Sequence, residues 1–250
     1  MVEEWEHGQT WFLFNGNLMS DNLTCLLATI FTGRAVPYTR PGSFSAIAKS
    51  PVPGPMRIHA EGIEGDEQGD RRVHGGPDKA IHHYPFEHYD FWRGVHAHPL
   101  LGAAGAFGEN FSSTGWTEAD IHLADVIRVG TVTLQVSQGR QPCWKLNDRF
   151  GHPEIARTMQ SSGRTGWYYR VLEPGRVQAG DPMAVIERPC AQWPLSRLMS
   201  VLFDRALRHE VLLEASLLPL PPSWKNLLQR RLEKGEVESW QSRLHGPSAS

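Results

Sequence analysis

The sequence contains little cysteine: Cys25, Cys143 and Cys190 are the three cysteines among 250 residues. They are odd in number and far apart, and no CxxC pair occurs among them. Small secreted proteins that depend on disulfides have a denser, even-numbered set. The pattern therefore argues against a disulfide framework and favours a reducing compartment.

An excess of basic residues and a long apolar run are also missing. Lysine and arginine together number 25, against 27 acidic residues, whereas a nucleic-acid-binding protein shows a basic surface. The longest apolar run, residues 23–31, is about half of the roughly 18 residues that a membrane span requires. The N-terminal segment contains Glu3, Glu4 and Glu6, although a secretory signal begins with positive charge. We therefore expect a cytoplasmic protein with neither nucleic acid nor a membrane as partner.

Short strands separated by turns are predicted for residues 26–188. In the clearest one, Val132, Leu134 and Val136 alternate with polar residues at the period of two that a strand requires. Gly130 would join this strand to the preceding one as a hairpin. Many short strands with few helices are typical of a closed β-barrel. The predicted strands are residues 26–31, 126–129, 131–137 and 183–187.

Helices are predicted at two places within this β-region and throughout the last part of the chain. Pro85 and Pro153 each precede apolar residues at helical spacing, and Gly163 would end the second helix. After residue 188, apolar residues recur at helical spacing in three stretches, the third between Ser223 and Gly235. The predicted fold class is mainly β. It has an N-terminal extension (1–25), a β-barrel with short helices (26–188) and a small C-terminal three-helix domain (189–246).

Cys143 is the first candidate for chemistry, because it follows the clearest strand in a loop rich in positive charge. Arg140, Lys145 and Arg149 lie near it in the sequence, and nearby cations favour the thiolate, the form that attacks or binds metal. Pro142 would stiffen the approach to it. A free cysteine is also commonly a small buried apolar residue, so the local sequence leaves both interpretations open.

A second candidate is the stretch around His74, Gly75 and Gly76. Paired glycines beside a histidine let the backbone approach a ligand closely, and Lys79 could meet a phosphate. The glycines match neither a Walker nor a dinucleotide-binding pattern. A solvated polar turn explains the same residues, and the following segment with Glu109 and Asn110 is equally compatible with turn chemistry.

Histidines are frequent between residues 74 and 98, but they do not have the close spacing of zinc ligands such as HExxH. His82 and His83 point to opposite faces if they lie on a strand, so at most one of them faces a pocket. A nucleophilic pair of Cys143 with His74 or His83, as in thiol hydrolases, stays open.

Six segments follow one another along the chain: SAIAK (45–49), GIEGDEQ (62–68), VHGGPDKA (73–80), FGEN (107–110), residues 124–136 and RQPC (140–143). In this order they resemble MOSC-domain proteins, the β-barrel domains related to the C-terminal part of molybdenum cofactor sulfurase. More narrowly they resemble the YiiM branch, which is associated with resistance to 6-N-hydroxylaminopurine. The likeness covers about residues 26–188, and the tail, with Ser223-Trp224 and Arg230-Arg231-Leu232, is similar to the three-helix C-terminal domain of that branch.

The resemblance implies a molybdenum cofactor (molybdopterin) whose metal is held by one cysteine, here Cys143. The matching cofactor-binding positions are Lys49, His74, Gly75, Gly76, Lys79, Asn110 and Arg140. The chain departs from the family at Ala124-Asp125, where Gly-Asp is usual. Alanine fits there only with a negative φ, and that is what we expect.

The resemblance further implies an oxidoreductase that reduces small N-hydroxylated compounds, with His74 or His83 as the proton-donating catalytic residue beside Cys143. No flavin or nicotinamide motif is present and pyridoxal phosphate is not implied, so electrons would come from a separate reductase. Two alternatives stay open, which are sulfur transfer through a Cys143 persulfide and a cofactor carrier without turnover of its own. The tail could serve in a homodimer or could simply cover the barrel.

Overall fold

The strands of the computed structural model, which describes residues 23–69 and 75–246, pair in a closed ring. The ring order is β13-β9-β10-β11-β7-β8-β1, and β1 also pairs with β13 and so completes it. Neighbours are antiparallel except β7 and β8, and β4 extends the ring at β1. The predicted barrel is therefore confirmed. The strands are β1 (Thr24–Thr32), β2 (Val36–Pro37), β3 (Phe44–Ser45), β4 (Ser50–Pro51), β5 (Met56–His59), β6 (Gly62–Ile63), β7 (Ile81–Pro85), β8 (Phe111–Thr114), β9 (Val126–Val129), β10 (Val132–Gly139), β11 (Trp167–Glu173), β12 (Gly175–Val177) and β13 (Pro182–Glu187).

Helices lie between the strands and follow the barrel. Within the described residues, none is long and apolar enough to cross a membrane. Two single 3-10 turns, Pro77–Lys79 and Pro99–Gly102, supplement them. The helices are α1 (His88–Val95), α2 (Lys145–Phe150), α3 (Ile155–Ser162), α4 (Leu195–Phe203), α5 (His209–Ser216), α6 (Pro222–Lys234) and α7 (Gln241–His245).

One apolar core runs from the barrel into the C-terminal helices. Leu134 of β10 and Leu198 of α4 are fully buried members of the same cluster. The two elements approach closely, because a Cβ at Gly139 would lie 2.1 Å from the sulfur of Met199. The C-terminal helices therefore cover the barrel of their own chain.

The sequence misplaced or missed several elements. Pro85 is the last residue of β7, and α1 begins at His88. Ser223 lies inside α6 rather than capping it, since Pro221 occupies that position. Strands β7 and β11 and helices α2 and α7 were not predicted. All five residues of β7 are buried, so the alternation that marks a half-buried strand is absent from its sequence.

Ala124 has a φ of +62° and is the non-glycine residue with positive φ among those described. The expectation of a negative φ is therefore wrong. The left-handed region costs a residue with a Cβ about 1–2 kcal/mol. The surrounding bonds enforce it, because the Ala124 N–H donates to Val136 O (2.9 Å) and the Asp125 N–H to His122 O (3.1 Å).

We predict that Ala124→Gly leaves the free energy of unfolding within about 0.5 kcal/mol of the wild-type value or raises it. Relief of the strained φ offsets the loss of one buried methyl group, which is worth about 0.8 kcal/mol. Urea unfolding measures this. The matched control is Ala156→Gly at a buried position of α3, where the same deletion should cost about 1–2 kcal/mol. Equal losses in both variants would show that position 124 carries no strain.

Candidate functional site

Loops and strand ends converge on one pocket, which contains Cys143 and the predicted residues Lys49, Lys79, Asn110 and Arg140. The structure thus brings together five predicted residues that lie up to 94 positions apart in the sequence. The remaining lining residues are Ser45, Ala46, Ile47, Asp66, Glu67, Gln68, Gly69, His82, Phe107, Gly108, Lys145 and Tyr168.

The end of β10 positions Arg140 and Cys143. The Arg140 N–H donates to Gly166 O (3.0 Å), and its guanidinium donates to Phe107 O (2.8 Å). Cys143 is half-buried just before α2, and its carbonyl accepts the Leu146 N–H (3.0 Å). The loop therefore presents the thiol to the pocket directly after the barrel wall ends.

Asp66 organises the opposite side of the pocket. Its carboxylate forms an ion pair with Lys49, and both side chains are only 7% exposed. It also accepts hydrogen bonds from Asn110 Nδ2 (2.8 Å) and the Gly33 N–H (2.7 Å). Burial lowers the pKa of Lys49, and the nearby Asp66 charge opposes this effect. Lys49 is thus present at the site, but its charge is directed at Asp66.

Two buried cations of the pocket are held by carbonyl oxygens instead of carboxylates. Arg140 and Lys145 are each 7% exposed, and Lys145 Nζ donates to Phe44 O (2.6 Å). Nearby, Arg149 Nε donates to Ala106 O (2.6 Å). Within residues 23–69 and 75–246, none of these three cations forms an ion pair. Their positive charge therefore stays available to an anion.

Cys143 differs from the other two cysteines in its electrostatic surroundings. Burial raises the pKa of Cys25 to about 12 and also raises the pKa of Cys190, so both thiols stay protonated. Burial lowers the pKa values of Lys79 and Arg243, and their electrostatic interaction with Cys143 opposes that effect. Two cations are thus electrostatically coupled to this thiol.

The two adjacent histidines of β7 have different surroundings, as their alternation requires. His83 lies outside the pocket: its Nε2 bonds Ser113 Oγ (2.8 Å) and its Nδ1 the hydroxyl of Tyr169 (3.1 Å). Burial lowers the pKa of His83 to about 3. The structure therefore does not support the prediction that His83 donates a proton to a ligand of the pocket.

His82 is the histidine that lines the pocket. Burial and the charge of Arg140 lower its pKa well below 6.5, although the carbonyls of Gly108 and Thr165 partly oppose this. Its Nε2 is buried and makes no hydrogen bond of good geometry to any residue that the structure describes. The His82 ring therefore lies in the pocket wall in its neutral form.

His74 lies outside the described residues, so its predicted roles are untested. Gly75 and Gly76 precede Lys79 but do not line the pocket. The Gly76 N–H donates to Gln68 Oε1 (3.3 Å), and its φ of +91° starts the turn that carries Lys79. These glycines therefore shape the loop beside the pocket.

Sequence reasoning missed Asp66 and Tyr168, named Lys145 only as a cation near Cys143, and did not decide between His82 and His83. Asp66 belongs to the segment GIEGDEQ that carried the family resemblance, so this segment could have identified it as a site residue. His82 could be separated from His83 only by knowing which face of β7 meets the pocket. Among described residues, no group of three or more His, Cys, Asp or Glu side chains is arranged to hold a metal ion.

Comparison with known proteins confirms the family resemblance. The MOSC domain model matches residues 70–184, and the YiiM-like, 3-alpha helix domain model matches residues 193–235. Protein YiiM of Escherichia coli (strain K12) is 40% identical over 221 residues, which are 87% of this chain and 97% of that protein.

Two further matches concern a solved structure and a longer protein. The crystal structure of YiiM from Escherichia coli superimposes with a TM-score of 0.73 and 30% identity, over 90% of this chain and 98% of that one. A protein of Gibberella moniliformis (strain M3125 / FGSC 7600) called "Reductase" is 35% identical over 190 residues. These are 75% of this chain but only 34% of that protein.

We predict that Asp66→Asn lowers the free energy of unfolding by about 3–5 kcal/mol, because it leaves Lys49 buried without its counter-ion. Chemical denaturation measures the loss. Adding Lys49→Met should recover much of it. The neighbouring control is Glu67→Gln, whose ion pair with Arg34 is exposed and whose loss should change the free energy of unfolding far less. A similar small loss in Asp66→Asn would contradict the organising role of Asp66.

A pH-dependent stability is predicted from His83. Its pKa is about 3 in the fold and near 6.5 when exposed, so between these values the unfolded state binds the extra proton. Stability therefore falls as the pH falls, and His83 should account for about 2 kcal/mol of the loss between pH 7 and pH 5. Urea unfolding of His83→Gln at pH 7 and pH 5 should show a loss of stability that is smaller by this amount.

The control for this prediction is His209→Gln at an exposed position, which should keep the wild-type dependence on pH. If His83→Gln loses as much unfolding free energy between pH 7 and pH 5 as the wild type, His83 is not held neutral by its burial.

Proposed function

The chain belongs to the MOSC-domain proteins, in their YiiM-like branch, and from this membership and the pocket we propose that it is an oxidoreductase that reduces N-hydroxylated compounds with a molybdenum cofactor. The substrate class includes hydroxylamino-purines such as 6-N-hydroxylaminopurine. The overall reaction consumes two electrons and two protons, cleaves the N–O bond, and yields the amine and water.

The observation that carries the proposal is the surroundings of Cys143. One thiol shares a pocket with Arg140 and Lys145, whose side chains donate to carbonyls and whose charges meet no carboxylate among the described residues. Such a pocket is complementary to an anionic group that also offers a soft metal.

The donor set fits molybdopterin on this criterion. A thiolate suits molybdenum, and cationic side chains suit a pterin phosphate. The cofactor, when bound, supplies two-electron redox chemistry with oxygen-atom transfer, while the protein supplies binding, orientation and electrostatics.

The residues of the chain then take distinct parts. Cys143 ligates the metal, and Arg140, Lys79 and Lys145 neutralise the phosphate. Lys49 contributes through Asp66, which holds Asn110 in place by the 2.8 Å hydrogen bond.

The proton for the departing water is proposed to come from His74, which lies outside the described residues. His83 is enclosed by Ser113 and Tyr169 and is set aside for this role. Since the pKa of His82 lies well below 6.5, this ring is neutral at pH 7. It would orient the N-hydroxyl group by hydrogen bonding and would leave proton donation to another group.

Electrons are proposed to come from a separate reductase, because the sequence has no flavin or nicotinamide motif. The fungal relative called "Reductase" supports an oxidoreductase assignment. That name describes a protein of which this chain matches 34%.

The test uses protein from a host that makes molybdenum cofactor. We expect stoichiometric molybdenum with pterin fluorescence, and anaerobic conversion of 6-N-hydroxylaminopurine to adenine with a chemical electron donor. Cys143→Ala should lower turnover by more than about 100-fold, since it removes the metal ligand. Cys190→Ala is the matched control and should keep wild-type turnover.

Three outcomes would contradict the proposal. Wild-type turnover by Cys143→Ala would show that Cys143 is not the metal ligand. A mass increase of one sulfur atom at Cys143 without molybdenum would indicate sulfur transfer. Bound pterin without turnover under any electron donor would indicate a carrier.

A further inference from the structure

The peptide groups on both sides of Cys143 are bound by one residue near the end of the chain. Arg243 Nη1 donates to Pro142 O (2.6 Å), and the Trp144 N–H donates to Arg243 O (2.8 Å). Side chain and main chain of Arg243 thus bracket the cysteine from a position about 100 residues later.

Three other elements hold α7, the helix that carries Arg243. Arg243 Nη2 donates to Gln160 Oε1 of α3 (2.6 Å). Asn147 Nδ2 of α2 donates to Leu244 O (2.8 Å). Arg40, in the loop between β2 and β3, donates from Nη1 to His245 O (2.9 Å). Leu244 is buried, so the helix is anchored by apolar packing as well as by hydrogen bonds.

The cysteine loop has few other main-chain bonds. Arg140 N–H binds Gly166 O and Leu146 N–H binds Cys143 O, and Pro142 has no N–H to donate. Within the described residues, the Pro142 carbonyl and the Trp144 amide depend on Arg243 for their hydrogen bonds. Losing both would free the loop at the residues next to the thiol.

We propose that Arg243 is a positioning residue of the Cys143 site, which fixes the cysteine loop against the pocket from helix α7. This helix lies beyond the segments that the two family models match, residues 70–184 and 193–235. The inference rests on the proposed function in taking Cys143 as the functional group, but its test needs neither cofactor nor substrate.

The test starts from a parent protein with Cys25→Ser and Cys190→Ser, so that Cys143 is the remaining thiol. Two quantities are measured without cofactor: amide hydrogen exchange of peptides covering residues 140–146, and the rate at which iodoacetamide alkylates Cys143. The variants are Arg243→Ala, Arg243→Lys and the control Arg157→Ala. Arg157 also contacts α7, at His245 (3.1 Å), but does not touch the cysteine loop.

Arg243→Ala should speed exchange of residues 140–146 by about tenfold, the effect of losing one charge-assisted hydrogen bond, and should raise the alkylation rate. Exchange in β10 should stay at the parent value. Arg243→Lys should restore part of the protection, because an ammonium keeps a cationic donor for Pro142 O but lacks the planar fork that holds Pro142 and Gln160 together. Arg157→Ala should match the parent in both measurements.

Equal behaviour of Arg243→Ala and Arg157→Ala would overturn the proposal, and so would faster exchange spread evenly over the barrel. Should Arg243→Ala fail to fold, Gln160→Met removes one of the two acceptors of the guanidinium and leaves Arg243 in place. A smaller increase confined to residues 140–146 is then expected, and no increase would overturn the proposal. Turnover has no part in these readouts, so a failure of the reductase assignment would be recognised separately.

Discussion

The pairing of β1 with β13 joins residues about 160 positions apart and turns an open sheet into a barrel. Thr24, Cys25 and Leu26 pair with Ala184, Met183 and Pro182. Because the ring is closed, its strands lack the free edges that expose peptide groups in an open sheet. The closure also fixes the pocket end of β1, where Phe31 binds Asn110 through its N–H (2.7 Å) and its carbonyl (3.1 Å). The pocket therefore inherits its geometry from the barrel ring.

The distribution of charge in the pocket separates two tasks. Asp66 has its buried cation in Lys49, and this pair connects the loops on one side. Arg140 and Lys145 are equally buried but are oriented by carbonyl oxygens, which hold a cation in place without neutralising it. Burying such charges is costly, and an anionic ligand would offset that cost. Buried cations without carboxylate partners beside a single thiol are the physical basis of the proposed cofactor site.

Sequence reasoning predicted the elements whose two faces differ and missed those that are buried throughout. The hairpin around Gly130 followed from the alternation in β10, and Gly163 follows α3 as predicted. β7 gave no alternation, because both of its faces are covered. Ala124 was misjudged because alanine rarely adopts a positive φ, and here the neighbouring turn imposes it.

The candidate site was predicted through the order of the family segments, which supplied Lys49, Lys79, Asn110, Arg140 and Cys143. Composition and periodicity do not reveal which distant residues approach a loop. The role of Arg243 could therefore not be predicted from the sequence, because this residue follows the matched segments and its contacts depend on where α7 docks. The surroundings of His82 depend on which face of β7 meets the pocket, and those of Asp66 depend on its ion pair with Lys49. Neither is visible in the sequence.

The contact between Gly139 and Met199 has a consequence for how sequences of this architecture can diverge. No side chain larger than hydrogen fits at residue 139 while the thioether occupies its present position. A larger residue at position 139 requires the thioether of Met199 to move or to be replaced, so substitutions at the two positions are coupled. Since Gly139 directly precedes Arg140, this packing contact ties α4 to the strand end that carries the pocket arginine.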